Sequence, residues 1–167
     1  MHNFLEFLKS RRSIREFENK AVSQEQLKEI VDVARFAPTA RNLQPWEFVV
    51  ITDKEKLNQL AHLAENGRFI AKASACIAVF TTDSKYFLED GSAATCNILL
   101  AATALGIGSC WVAGDKKPYC SEISVLLNAL PNMKLISLVA LGYPLNRDVF
   151  KTMAKRELSE MLHWEKF

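Results

Sequence analysis

The stretch from residue 89 to 105 reads as a helix that is small or apolar almost all the way round, from Gly91-Ser92-Ala93-Ala94 through Ile98-Leu99-Leu100-Ala101-Ala102. Such a helix has to be covered on every side. A chain of 167 residues has few elements to spare for that. Two coverings satisfy the pattern. One is burial under the chain's own sheet, and the other, more economical, is burial against a second copy. Ala93–Leu105 also contains Asn97 and falls short of the roughly 20 residues of a membrane span.

Around that helix the chain alternates short elements without repeats, low-complexity segments or linkers. Residues 3–10 look like a short helix with Phe4, Phe7 and Leu8 on one stripe. Ser23-Gln24-Glu25-Gln26 is a capping-box pattern. Leu27, Ile30, Val31 and Ala34 then recur at helical spacing, and Pro38 ends the element. Trp46–Ile51 reads as a strand, and Thr52 or Asp53 then caps a helix through Leu63. Ala75–Phe80 is a continuous apolar run that fits a buried strand. Gly106 follows the long helix as a C-cap glycine, with a strand at Ser109–Ala113. A helix after Pro118, a strand at Lys134–Leu141 and a last helix from about Met153 to Leu162 complete the expectation. Helices and strands mix without clean βαβ alternation, so an α+β sandwich is expected rather than a doubly wound sheet.

The length fits one domain over residues 1–167, since domains most often hold about 100–150 residues. Hydrophobic residues make up 49% and charged residues 24%, ordinary for a protein with a real core. A net charge of +2 provides no bulk field that argues for nucleic acid or a membrane surface. Positive charge that matters must be local. The N-terminal segment has Glu6 and no long apolar run, so it is not a secretory signal, and a cytoplasmic location is expected. Cys76, Cys96, Cys110 and Cys120 form no CxxC pair, and His2, His62 and His163 are scattered. Neither a metal site nor a disulfide framework is expected. Free cysteines behave as small core hydrophobes. Cys110 or Cys120 as a nucleophile lacks an evident histidine partner.

The densest local charge is Arg11-Arg12-Ser13-Ile14-Arg15. Guanidinium forks match phosphate oxygens bidentately, and a hydroxyl and backbone N–H groups stand nearby. The alternative is a solvated basic turn. Lys155-Arg156 carries the same ambiguity. Pro38-Thr39-Ala40-Arg41-Asn42-Leu43-Gln44-Pro45 combines hydroxyl and amides between two prolines, which suits a binding loop or a rigid connector. Gly106-Ile107-Gly108 follows a helix and precedes a strand, the reverse of a dinucleotide fingerprint. No P-loop, nucleophile elbow or HExxH is present.

Taken together, R-R-S-I-R-E-F at 11–17, A-P-T-A-R-N-L-Q-P-W-E-F at 37–48, D-G-S-A-A-T-C-N-I-L-L-A-A at 90–102, L-G-I-G-S-C-W-V-A-G at 105–114, A-L-G-Y-P at 140–144 and the terminal H-W-E-K-F resemble the FMN-dependent nitroreductase family. The order is right and the coverage nearly complete. The resemblance implies an α+β fold with a mixed sheet flanked by helices, in an intertwined homodimer with FMN at the interface. It implies a C-terminal tail, about 149–167, that reaches the partner subunit.

By the same resemblance Arg11, Arg12 and Ser13 would hold the FMN phosphate and ribityl chain. Arg15 would lie near N1 and the C2 carbonyl. Pro38, Thr39, Ala40 and Asn42 would reach the flavin from the other subunit, with Gln44 a lesser contact. Trp111, Val112, Ala113 and Gly114 would form the turn that offers a backbone N–H, chiefly from Ala113 or Gly114, to N5. Asn66, with Gly67 and Arg68, could grip the pyrimidine edge, and Lys155 and Arg156 match the C-terminal phosphate contacts loosely. No catalytic side chain is implied, because the cofactor carries the chemistry. The expected activity is ping-pong hydride transfer from NADH or NADPH to a nitroaromatic, quinone or flavin. A specialised flavoenzyme, dehalogenase-like or flavin-consuming, and a non-catalytic FMN-binding protein are the alternatives. Little length remains for the helical insertion that walls the pocket in longer members, which leaves the acceptor site small, open or completed by the partner.

Overall fold

The computed structural model of the chain describes residues 4–146 and 153–167. His2, Asn3 at the start of the first expected helix, and the 149–152 part of the expected tail lie outside the described residues. In chain order the elements are α1 (Phe4–Ser10), α2 (Gln24–Ala34), β1 (Trp46–Ile51), α3 (Lys54–Leu63), β2 (Ala75–Thr82), α4 (Phe87–Ala104), β3 (Gly108–Ala113), α5 (Cys120–Leu126) and β4 (Met133–Gly142). Short 3-10 turns occupy Ala40–Asn42, Arg68–Lys72 and Leu158–Glu160.

The four strands form one sheet in the order β1-β2-β4-β3, every neighbouring pair antiparallel. The one parallel pairing outside the strands is an isolated bridge between Ser13 and Ser109. β2 and β4 are apolar without alternation because both faces are covered. Cys76, Ala78 and Phe80 with Leu138 and Ala140 enter a core shared with Leu57 and Leu60 of α3 and Ile123 of α5. Ala75, Ile77 and Val79 with Val139 and Leu141 enter a second core against Leu27 and Ile30 of α2 and Ile98 and Ala102 of α4. A register shift between Val79 and Phe80 admits Ile136 as an extra residue in β4.

Local chemistry sets the helix boundaries. Ser23 accepts from the Gln26 N–H while the Gln26 side chain accepts from the Ser23 N–H, the reciprocal capping box. Asp53, not Thr52, caps α3. At the end of α4, Gly106 takes φ +68°, Ile107 N–H donates to the Ala102 carbonyl at 2.8 Å and Gly106 N–H to Thr103 at 3.1 Å. That bonding pattern is a Schellman stop, and its left-handed residue favours glycine.

The chain's own elements cover α4 on one side only, and one other expectation changes. α4 buries Asp90, Gly91, Ala94, Thr95, Ile98, Leu99, Ala101 and Ala102 under this chain's own elements, yet Cys96 and Ala104 on its outer side stay exposed. The helix expected over Met153–Leu162 is absent. Only the turn Leu158–Glu160 is regular, and residues 153–167 are all exposed. A helix of that length is marginal in water without a surface to pack on, and no described residue of the tail is buried. Among the described residues no helix is long and apolar enough to cross a membrane.

Candidate active site

The basic segment is anchored from below. Ile14 and Phe17 are buried, Ile14 N–H donates to the Ser109 carbonyl at 2.9 Å, and Glu18 N–H donates to Tyr143 at 2.8 Å. These bonds lay residues 13–18 along the outer edge of β3 and the end of β4, so the intervening polar side chains turn outward. The result is a cleft of about 430 Å³ lined by Arg11, Arg12, Ser13, Ile14, Arg15, Glu16, Asn146, Met153 and Lys155. Cations from both ends of the chain meet there. Arg156 does not line it, because its guanidinium engages Glu160 at 3.3 Å.

The cations are held differently. Arg12 Nη1 donates to the carbonyls of Lys9 and Arg11, each at 2.7 Å, which ties it to the end of α1. Arg15 lies over the Phe69 ring, 5.6 Å from its centroid, and so joins the cleft to the 68–72 turn that follows the exposed Asn66. The field reaches the floor of the site. Burial pushes the Cys110 thiol up, and the Arg15 charge, a Ser13 hydrogen bond and the Arg11 charge oppose that rise.

The end of β3 supplies backbone donors. Gly114 N–H donates to Ile136 at 2.9 Å. A Cβ on Gly114 would stand 2.5 Å from the Leu135 oxygen, so only glycine permits this approach. Antiparallel ladders alternate bonded and outward-facing residues. With Gly114 turned toward β4, Trp111 and Ala113 present their N–H groups on the outer edge, the edge on which Ser109 receives Ile14. The Val112 side chain is buried in the core. The Ala113 carbonyl accepts the Tyr119 hydroxyl, and burial pushes that phenol up.

The 38–44 loop is built by strain and one buried carboxyl group. Arg41, Asn42 and Gln44 have φ of 56°, 57° and 48°. Asp90, only 5% exposed, accepts from Thr39 Oγ1 at 3.0 Å and from Ala40 N–H at 3.2 Å. Gln44 Nε2 donates to Asn42 at 3.2 Å. None of Pro38, Thr39, Ala40, Asn42 or Gln44 lines the basic cleft. The register explains the separation. The loop enters the sheet at Trp46, level with Thr81 and Lys134, whereas Ser13 sits beside Ser109, level with Leu141 at the opposite corner. Strand rise and spacing make that diagonal roughly 25 Å.

Sequence reasoning missed Asp90, Tyr119 and Phe69. Asp90 carried a usable signal, a carboxyl group within an otherwise small, apolar helix. Tyr119 and Phe69 carried no signal in the sequence, since a lone aromatic beside a helix or turn has no distinguishing pattern. A second groove of about 480 Å³, between α2 and β1 along Leu27, Val31 and Val50, receives none of the expected cofactor residues. Among the described residues no group of three or more His, Cys, Asp or Glu could hold a metal ion.

A model described as "Nitroreductase family" matches residues 8–83, and one described as "Putative TM nitroreductase" matches residues 50–166. A protein of Archaeoglobus fulgidus named "Putative NADH dehydrogenase/NAD(P)H nitroreductase" is 36% identical over 174 residues, covering 100% of both chains. An FMN-dependent nitroreductase from Clostridium difficile superposes with a TM-score of 0.88 at 29% identity, over 98% of this chain and 99% of its own. A "putative nitroreductase in complex with FMN" from Desulfovibrio desulfuricans superposes at 0.82 with 29% identity, over 100% and 99%.

Proposed function

The chain belongs to the nitroreductase family, and on that premise we propose that it binds FMN as a homodimer and reduces a small electron-poor acceptor with NADH or NADPH. It is a flavin-dependent oxidoreductase. Bound FMN would supply the redox chemistry, hydride exchange between a nicotinamide donor and a nitroaromatic, quinone or flavin acceptor. The observation that carries the proposal is the cleft that gathers Arg11, Ser13, Arg15 and Lys155 beside the outward N–H groups of β3.

That donor set fits the cofactor. Arg11, Arg12, Ser13 and Lys155 are suited to a phosphate and a polyol chain, since guanidinium and ammonium donors match phosphate oxygens. Arg156 would join them on leaving Glu160. Arg15 holds a fixed positive charge where two-electron reduction of a flavin places negative charge. The Ala113 N–H provides a fixed donor on the same edge, while the Gly114 N–H is already engaged by Ile136. Asn66, exposed just before the Arg68–Lys72 turn, is assigned to the pyrimidine edge.

The other half of the cradle is assigned to a second copy. Pro38, Thr39, Ala40, Asn42 and Gln44 lie across the sheet from the basic cleft, so one small ligand meets both groups when two chains are paired. Exposed apolar side chains supply a surface for that pairing. Phe4, Leu5 and Leu8 of α1, Phe36 at 70% exposure and Trp164 at 76% lie open on the single chain. The tail from Met153 onward, all exposed, gains cover from a partner.

Anaerobic rapid mixing tests the activity. The FMN-loaded protein is expected to bleach on mixing with NADH or NADPH and to recolour when a quinone or nitroaromatic follows. Flavin that stays oxidised with both nicotinamides would leave binding without catalysis and overturn the proposal.

A further inference from the structure

We propose that Asp90 is a positioning residue, whose carboxyl group holds the 39–44 loop in the shape with which that loop meets the cofactor. Of the buried described residues, Asp90 is the one acidic side chain. A buried carboxyl group is unfavourable unless it is hydrogen-bonded. Its two oxygens accept from Thr39 Oγ1 at 3.0 Å and Ala40 N–H at 3.2 Å, across 51 and 50 positions of sequence. Thr39 Oγ1 in turn accepts from Gln44 N–H at 3.3 Å.

The carboxyl group therefore holds the start of the loop directly and its end through the Thr39 hydroxyl. Between those ends lie Arg41 and Asn42, and Gln44 follows, all three in the left-handed region that L-residues rarely adopt. Of these, only Asn42 is of a type that tolerates the left-handed region, and none is glycine. Such backbone persists only where its surroundings over-determine it. Asp90 is fixed in α4, which packs against both α2 and the sheet, and it supplies that constraint. The consequence for the cofactor rests on the flavin assignment above. The latch itself does not.

Hydrogen exchange and FMN titration on the full chain, with Asp90→Ala, Asp90→Asn and Thr39→Val, test the proposal. Asp90→Ala is expected to speed exchange at the Ala40 and Gln44 amides while α4 and the sheet keep their protection. It is also expected to weaken FMN binding by roughly tenfold, the scale of one lost hydrogen bond. Asp90→Asn keeps an acceptor for the Ala40 N–H and replaces the other oxygen with an N–H that can donate to Thr39 Oγ1, so it should restore both readouts to within about threefold. Thr39→Val should free the Gln44 amide and add little on top of Asp90→Ala, because both break one network.

Protection of the Ala40 and Gln44 amides that survives Asp90→Ala would overturn the latch. So would equal losses in the Ala and Asn variants with exchange raised throughout α4, since that pattern marks a general packing role. If Asp90→Ala does not fold, Thr39→Val decides, and an unchanged Gln44 amide there refutes the proposal. A wild-type chain that binds no FMN would sink the flavin assignment, while the exchange data still judge the latch.

Discussion

Arg15 lies over Phe69 with its charge turned to the cleft, while Arg12 donates to two carbonyls at the end of α1. Composition alone makes these two arginines equivalent, and the fold separates them. Arg15→Ala is expected to keep the assembly, weaken FMN binding by about tenfold and lower the flavin's reduction potential. An unchanged potential, read by equilibrium dye titration, would place Arg15 away from N1. The buried thiol of Cys76 makes a different demand. Burial pushes it from 9.0 to about 12. Above pH 9 the unfolded chain releases this proton and the folded chain keeps it, so stability falls by about 1.4 kcal/mol per pH unit until the folded thiol also ionises. Urea unfolding at pH 8 and pH 10 should show the loss, and Cys76→Ala should flatten it. An equal slope in that variant would contradict the assignment. The basic run was legible in the sequence because its residue types are rare together. The bonds between Asp90 and the Thr39 loop were not, because they join positions about fifty apart and no local pattern marks them.

At the scale of elements, strong local signals located the structure well. The Ser23 capping box, the Trp46–Ile51 strand and the Gly106 stop lie where side-chain chemistry and periodicity put them. Ser23→Ala is expected to destabilise the chain by about 1 kcal/mol, measured as a shift of the denaturation midpoint with an unchanged slope. No shift would mean that α2 is held by its packing alone. The terminal segment was misread for an instructive reason. Leu158, Met161 and Leu162 recur at i, i+3 and i+4, but helical spacing only forms a helix when the apolar stripe has a surface to cover, and all three side chains stay exposed on the described chain. Sequence periodicity reports that a segment is amphipathic. Where its partner surface belongs to another molecule, the periodicity cannot say what shape it takes.

At the scale of the whole molecule, the sheet puts the basic cleft and the strained loop at diagonal corners. The same chain leaves apolar side chains of α1, the Phe36 corner and the tail uncovered. The proposed pairing of two copies, each completing the other's flavin cradle, accounts for both facts. Sedimentation velocity of the FMN-loaded protein, followed at the flavin's visible absorbance, tests this most directly. The account predicts that the yellow colour travels with a species of two chains, one FMN to each. Flavin carried by a single chain at the same occupancy, or a dimer that travels colourless in excess FMN, would contradict it.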